Sequence, residues 1–455
     1  MHSSGSNGTS DPIKLQPSRE DVGPEPDPDP VFEMVVLGSG GGPLETDCSG
    51  YLVKPASGRW EDGILALEGG SGIGALTNLL RMHEADELFP NVDFPETHNS
   101  PILKAAYIFS FLSCYLITHA HLDHAVSLIL LSGSVPSKQR RISRLLFNHD
   151  HVNASEATAD ETVPPVPARI PVYATQETLD NLAAAYGGGL WPELGAWATA
   201  EELMHSGRRK RRRTQELTGV GPKFYPLATE KGRKHTHLNA QLPISTLVFP
   251  VSHGQTSQGP YSSSATFIRY DPSLMPSRPP SRRTSHSMSN SQDDIEMDSS
   301  FMGSAGREFL FFGDVESEWR ADHEMDVDKD GGAVAGAYNR AIWEQAAVSF
   351  AEGRLAGVFL ECSYDSTRPA IIMFGHLSPP GIMYELKTLA SFVGGESRPL
   401  EGLKIFITHV KEFLVPHRSG VSARELIQIE LDALEAENQL GVTFNVISPG
   451  DRLLI

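Results

Sequence analysis

Residues Tyr115–Gly133 read YLITHAHLDHAVSLILLSG. Three histidines and an aspartate fall within six residues, between one apolar run and another. At this composition that set arises at fixed offsets in roughly one chain in a thousand. A His-rich surface turn, or an Asp serving only to cap a helix, therefore accounts for it poorly. The first run suits a buried strand and the second a helix. In an extended segment, residues two apart point the same way, so His119 and His121 can converge on one ion. The following turn redirects the chain and lets Asp123 and His124 reach a second ion. Imidazole nitrogen with carboxylate oxygen suits zinc, with manganese or iron as alternatives.

Four residues cannot complete two metal shells, so further His and Asp are expected just past apolar runs, where a sheet delivers functional side chains. FPVSHG places His253 there, FLFFGDVE places Asp314 and KIFITHVKE places His409. Asp314 is the natural bridge, because a carboxylate can bind two cations. FLECSYDS and FGHLSPP add Glu361 and His376. His376 reads either as a structural histidine at a helix start or as a working histidine oriented by Glu361. The turn GSGGGPLETDCSG has Gly38 and Gly40 but Pro43 in place of a third glycine, so it reads as a tight turn near the metals, not a nucleotide loop. The pairs His149/His151 and His235/His237 lie in polar stretches and are read as surface residues.

The 455 residues allow one large domain or two ordinary ones. With Lys plus Arg at 38 and Asp plus Glu at 57, the formal charge is −19. Such a surface repels phosphate backbones, which argues against nucleic-acid binding and makes a local cation necessary for an anionic substrate. Three widely spaced cysteines, Cys48, Cys114 and Cys362, favour a reducing compartment and a cytoplasmic location. The N-terminus has no apolar core for a signal peptide, and no run is long enough for a bilayer span, so no membrane role is expected.

Residues 1–30 read as a disordered leader. Residues 31–455 read as one domain, with flexible insertions near 148–168, 201–240, 271–306 and 321–334. Between them apolar strands recur, and helices are expected at Gly72–Met82, after HAHLDH, after PVYAT, and over 338–352, 378–392 and 423–438. That pattern predicts an α/β (α+β) fold of sheets covered by helices. The basic run Arg208–Arg213 reads as a solvated charge cluster, with nuclear import as the alternative. RRTS and RRRT fit a basophilic kinase, with Ser285 and Thr214 as acceptors for cAMP-dependent kinase.

HAHLDH with the later His, Asp and His resembles the metallo-β-lactamase superfamily. The full set, with PVYATQETLDNL, LWPEL, PVSHG, FFGDVE, FGHLSPP and ITHVKE, resembles class II cyclic-nucleotide phosphodiesterases over most of residues 32–455. Two positions depart from the family pattern: Ala125 replaces a bulkier aliphatic, and Glu68 in LEGGSG replaces the Asp of a DAG-like turn. The resemblance implies a metallo-β-lactamase αββα sandwich, two face-to-face sheets with helices outside and metals at one edge. It implies that His119, His121 and His253 hold one Zn2+, Asp123, His124 and His409 the other, and that Asp314 bridges. It also implies hydrolysis of 3′,5′-cyclic AMP, with cyclic GMP as a second candidate, by a dinuclear zinc-activated hydroxide. Asp314, Glu361 and His376 are the catalytic candidates, and residues near Trp191 or Phe413 are candidate base contacts. The alternatives are another hydrolase of this fold, such as a tRNA 3′-processing nuclease, or a non-catalytic binding member.

Overall fold

The computed structural model describes residues 29–134, 169–204, 221–229, 234–238, 242–257, 259–274, 306–319, 329–395 and 397–455. His149, His151, Arg208–Arg213, Thr214 and Ser285 lie outside them, as do residues 1–28 and the stretches 148–168 and 275–305.

One sheet holds β1 (Phe32–Gly41), β2 (Cys48–Pro55), β3 (Ile64–Leu67), β4 (Leu112–Leu116), β5 (Ile170–Thr175), β6 (Ala196–Trp197), β7 (Pro222–Leu227) and β15 (Arg452–Leu454). The other holds β8 (Thr236–His237), β9 (Ile244–Thr256), β10 (Gly259–Tyr270), β11 (Glu308–Phe312), β12 (Leu355–Glu361), β13 (Lys404–Thr408) and β14 (Thr443–Val446). The strand orders are β15-β1-β2-β3-β4-β5-β7-β6 and β14-β13-β12-β11-β10-β9-β8.

Alternation along the strands explains why two sheets stack. Phe32, Met34 and Val36 of β1 share a core with Phe309 and Phe311 of β11, Phe359 of β12 and Phe406 of β13. The intervening Val35 and Leu37 pack into a second core with the helices α1 (Ile73–Met82), α2 (Pro101–Phe109), α3 (Leu122–Leu131) and α4 (Gln176–Ala185). Leu310, Val358 and Ile405 pack into a third with α5 (Lys329–Ala351), α6 (Pro379–Val393) and α7 (Ala423–Asn438). A strand with apolar side chains on both faces must be covered on both, and period 2 divides them between the layers. The result is the αββα sandwich.

The expected helices are present, with α5 starting at Lys329, inside the stretch 321–334 read as an insertion. Likewise β7 and β8 lie inside the stretch 201–240. No helix among the described residues is long and apolar enough to cross a membrane. Cys48, Cys114 and Cys362 are buried and unpaired.

His235 differs from its reading as a surface residue without a carboxylate partner: its Nε2 lies 3.0 Å from Glu308 Oε2. Glu308, fully buried at the start of β11, also accepts from Arg269 Nε at 2.9 Å, Arg354 Nη1 at 2.9 Å and Ser349 Oγ at 2.5 Å. Burial alone would raise this carboxyl, but His235, Ser349 and Arg269 together lower it. Removing one member of a buried ion network leaves the others uncompensated, so Glu308→Ala should cost about 3–5 kcal/mol in urea unfolding. With the folded value below the unfolded one, near ~4.3, the stabilisation is complete above that value. It is lost as pH falls through the lower folded value. The variant's acid unfolding should therefore lack this component.

Candidate metal centre

The strand directions bring the expected residues to one edge. β3 and β4 are parallel, as are β11, β12 and β13, and β9 runs in the direction of β11 because β10 lies antiparallel to both. Within each sheet these carboxyl ends therefore face the same way, and the contacts of Asp314 with His119 and His124 bring the two sets together. Glu68 follows β3, the HAHLDH loop follows β4, His253 lies near the end of β9, Asp314 follows β11, Glu361 ends β12 and His409 follows β13.

Two groups form there: His119, His121, His253 and Asp314, and Asp123, His124 and His409, with ligand atoms within 4.8 Å of one another in each. Asp314 joins them. Its Oδ2 lies 3.6 Å from His119 Nε2, 3.5 Å from His253 Nε2 and 3.2 Å from His409 Nε2. Its Oδ1 lies 3.3 Å from His124 Nε2. Asp314 with His376 and His409 makes a third, overlapping group. The capping explanation for Asp123 fails: His121 is the N-cap of α3, and the Asp123 carboxylate accepts from His409 Nε2 at 3.2 Å.

Four of the five imidazoles, those of His119, His124, His253 and His409, have a polar partner on their second ring nitrogen. His253 Nδ1–H donates to the Gly375 carbonyl at 3.0 Å, which turns the Nε2 lone pair inward. Ser363 Oγ lies 2.9 Å from His409 Nδ1. Thr118 Oγ1 lies 3.1 Å from His119 Nδ1. Glu68 Oε1 lies 3.3 Å from His124 Nδ1 and also accepts from the Thr118 hydroxyl. The departure at Glu68 thus keeps a carboxylate behind the loop. Tyr261 stacks on His121, centroids 4.4 Å apart and 10° from parallel.

His119, His121, His253 and His409 are all held below the usual imidazole value, chiefly by burial, with His121 near about 4. Burial would lower His124 too, but Asp314 and Glu68 outweigh it and raise it. Burial would raise Asp123 and Asp314, yet the surrounding histidines hold both low. His253 Nε2 and His119 Nε2 stand 3.2 and 3.1 Å from His121 Nδ1, so neutral imidazole nitrogens crowd one point. Among the described residues, buried His124 Nε2 and Asp314 Oδ1 make no well-aligned hydrogen bond and face only each other at 3.3 Å. Such groups are costly unless something else satisfies them. Divalent cations fit this donor set.

Behind the cluster, Glu361 accepts from the backbone N–H of Val315, Ser363 and Leu377 at 3.3, 3.1 and 3.2 Å. Its Oε1 lies 3.1 Å from His376 Nδ1, and that nitrogen lies 3.7 Å from Asp314 Oδ2. Burial and the Asp314 charge push Glu361 up to about 7, and burial pushes His376 down to about 4.

The glycine turn lies against the site as expected. A Cβ on Gly41 would stand 2.3 Å from His409 Cε1. Gly41→Ala should therefore tilt that ring and weaken metal retention by about 10–100-fold, the usual cost of disturbing a ligand's support. Metal-buffer titration would measure it, with the unfolding midpoint as control. Of the proposed base contacts, Trp191 packs against the outer core of the first sheet and Phe413 stacks on His417. Sequence reading missed Ser363 and Tyr261. Period-2 spacing carries the only signal for Ser363, which lies two residues past Glu361.

The profile of the family described as cAMP phosphodiesterases class-II matches residues 41–450. A 3′,5′-cyclic-nucleotide phosphodiesterase of Candida albicans is 22% identical, covering 93% of this chain and 100% of that protein. One of Schizosaccharomyces pombe is 24% identical, covering 92% of each. The crystal structure of unliganded yeast PDE1 superposes with a TM-score of 0.60 at 19% identity, covering 94% of this chain and 100% of that one. With the sandwich and the clustered histidines, these matches show that the chain belongs to the class-II cAMP phosphodiesterase family and is a 3′,5′-cyclic-nucleotide phosphodiesterase, a hydrolase.

Proposed function

We propose that the chain hydrolyses 3′,5′-cyclic AMP to the 5′-monophosphate, with cyclic GMP as a second substrate, at a centre holding two divalent ions, zinc by donor chemistry. The observation that carries this is the meeting of seven His and Asp side chains where the two sheets adjoin, with buried donor and acceptor atoms among them that make no well-aligned hydrogen bond. His119, His121 and His253 would hold one ion, Asp123, His124 and His409 the other, and Asp314 would serve both. Bound there, the ions would bring a water's pKa to about 7 and offset phosphodiester charge.

The protein's own groups do the rest. As a water oxygen bonds phosphorus and the P–O3′ bond breaks, His376, with Nδ1 held by Glu361, would give the Nε2 proton to O3′ and take one from Glu361 at Nδ1. Glu361 is a positioning residue that holds the pair's proton. The −19 surface excludes polyanions, which favours a small diester over RNA. The buried free thiols support a cytoplasmic place. Ser285 and Thr214 stay proposed acceptors for cAMP-dependent kinase.

Zinc-loaded protein should be assayed against cyclic AMP, cyclic GMP, a tRNA precursor and a thioester. Cyclic nucleotides should be consumed and the others spared. Processing of tRNA or thioester with cyclic nucleotides untouched would reject the proposal.

A further inference from the structure

A nucleobase needs a π surface that the metal ligands do not offer. The segment running from Glu361 to His376 carries one. Tyr364 stands edge-on to His376, centroids 5.9 Å apart. The Arg368 guanidinium lies 4.2 Å over the Tyr364 ring and 5.9 Å from the Phe374 centroid. Its Nε donates to the Ile372 carbonyl at 3.0 Å, tying the two arms of the loop. Phe374 is 65% exposed and has φ 54°, a left-handed conformation disfavoured for a bulky residue. Its carbonyl and Gly375 pack on Gly254, the neighbour of His253. Core packing does not account for an exposed phenylalanine held this way at the rim of a site, and such strain clusters where ligands bind.

We propose that Phe374, beside the Arg368 guanidinium that also covers Tyr364, is the platform on which the substrate's base stacks while the cyclic phosphate lies over His376 and Asp314. This rests on the cyclic-nucleotide reading above. Both purines have a π face, so such a platform accepts adenine and guanine alike. The cation–π contact holds the ring before binding. Contact with a remote base is the same in ground and transition states, so it sets KM more than kcat.

The test measures kcat and KM for cyclic AMP and for ribose 3′,5′-cyclic phosphate, which lacks a base, in the wild type, Phe374→Ala and Phe374→Trp. Phe374→Ala should raise KM for cyclic AMP about tenfold or more, with kcat within about twofold, and Trp should restore it. Losing the base and losing the ring should not multiply. Unchanged KM for cyclic AMP, or losses that multiply across the two substrates, would overturn the platform. A wild type that hydrolyses neither substrate would instead remove the functional reading, and the platform with it.

Discussion

Asp314→Asn should lower kcat/KM for cyclic AMP by about 10³-fold or more and strip metal from the protein. The substitution keeps the shape and removes the charge at a side chain that reaches imidazoles of both groups. Asp314 lies within 3.7 Å of five imidazoles, those of His119, His124, His253, His376 and His409. Asn offers one neutral oxygen where the carboxylate offers two, so it cannot serve two cations. Asp314 follows β11, and the core contacts of Phe309 and Phe311 do not involve it. The metal-free variant should therefore keep the circular dichroism of the metal-free wild type. Elemental analysis beside steady-state kinetics checks both halves: near-normal turnover with full metal content would show that the carboxylate is not central.

His376→Ala should act differently. It should lower kcat by about 10²–10⁴-fold and leave the metal content unchanged. On the proposed mechanism the Glu361–His376 pair would share a proton across 3.1 Å, and burial with the Asp314 charge raises Glu361 to about 7. A proton donor works below its pKa and fails above it, so wild-type kcat should fall as pH rises past that value. The variant should lose this alkaline limb, and Glu361→Gln should displace it. A wild-type profile that stays flat through pH 9, or a variant that keeps the limb, would assign the proton elsewhere.

Sheets covered by helices were legible from recurring apolar strands bounded by turns, such as FEMVV and EFLFF, whereas the stacking of two sheets came from the family resemblance. The metal centre was legible because histidine and aspartate just past an apolar strand have few other reasons to be there. The helix Pro101–Phe109 was not, because PILKAAYIFSFLSCYL stays apolar from the helix into β4, and periodicity cannot mark the boundary. Residues that orient the ligands were also hidden. Ser363, Thr118 and Tyr261 are common types whose meaning comes only from which imidazole they touch. His235 looked solvent-facing because its partner, Glu308, lies 73 positions away. The exposed ring at Phe374 depends on a backbone conformation that no residue pattern announces.

The most direct measurement is activity against metal content after chelation. Protein stripped of metal should hydrolyse no cyclic AMP, and zinc added back should restore turnover that saturates at two equivalents per chain. Hydrolysis persisting in protein shown to be metal-free would contradict the reading of the seven side chains as a dinuclear centre.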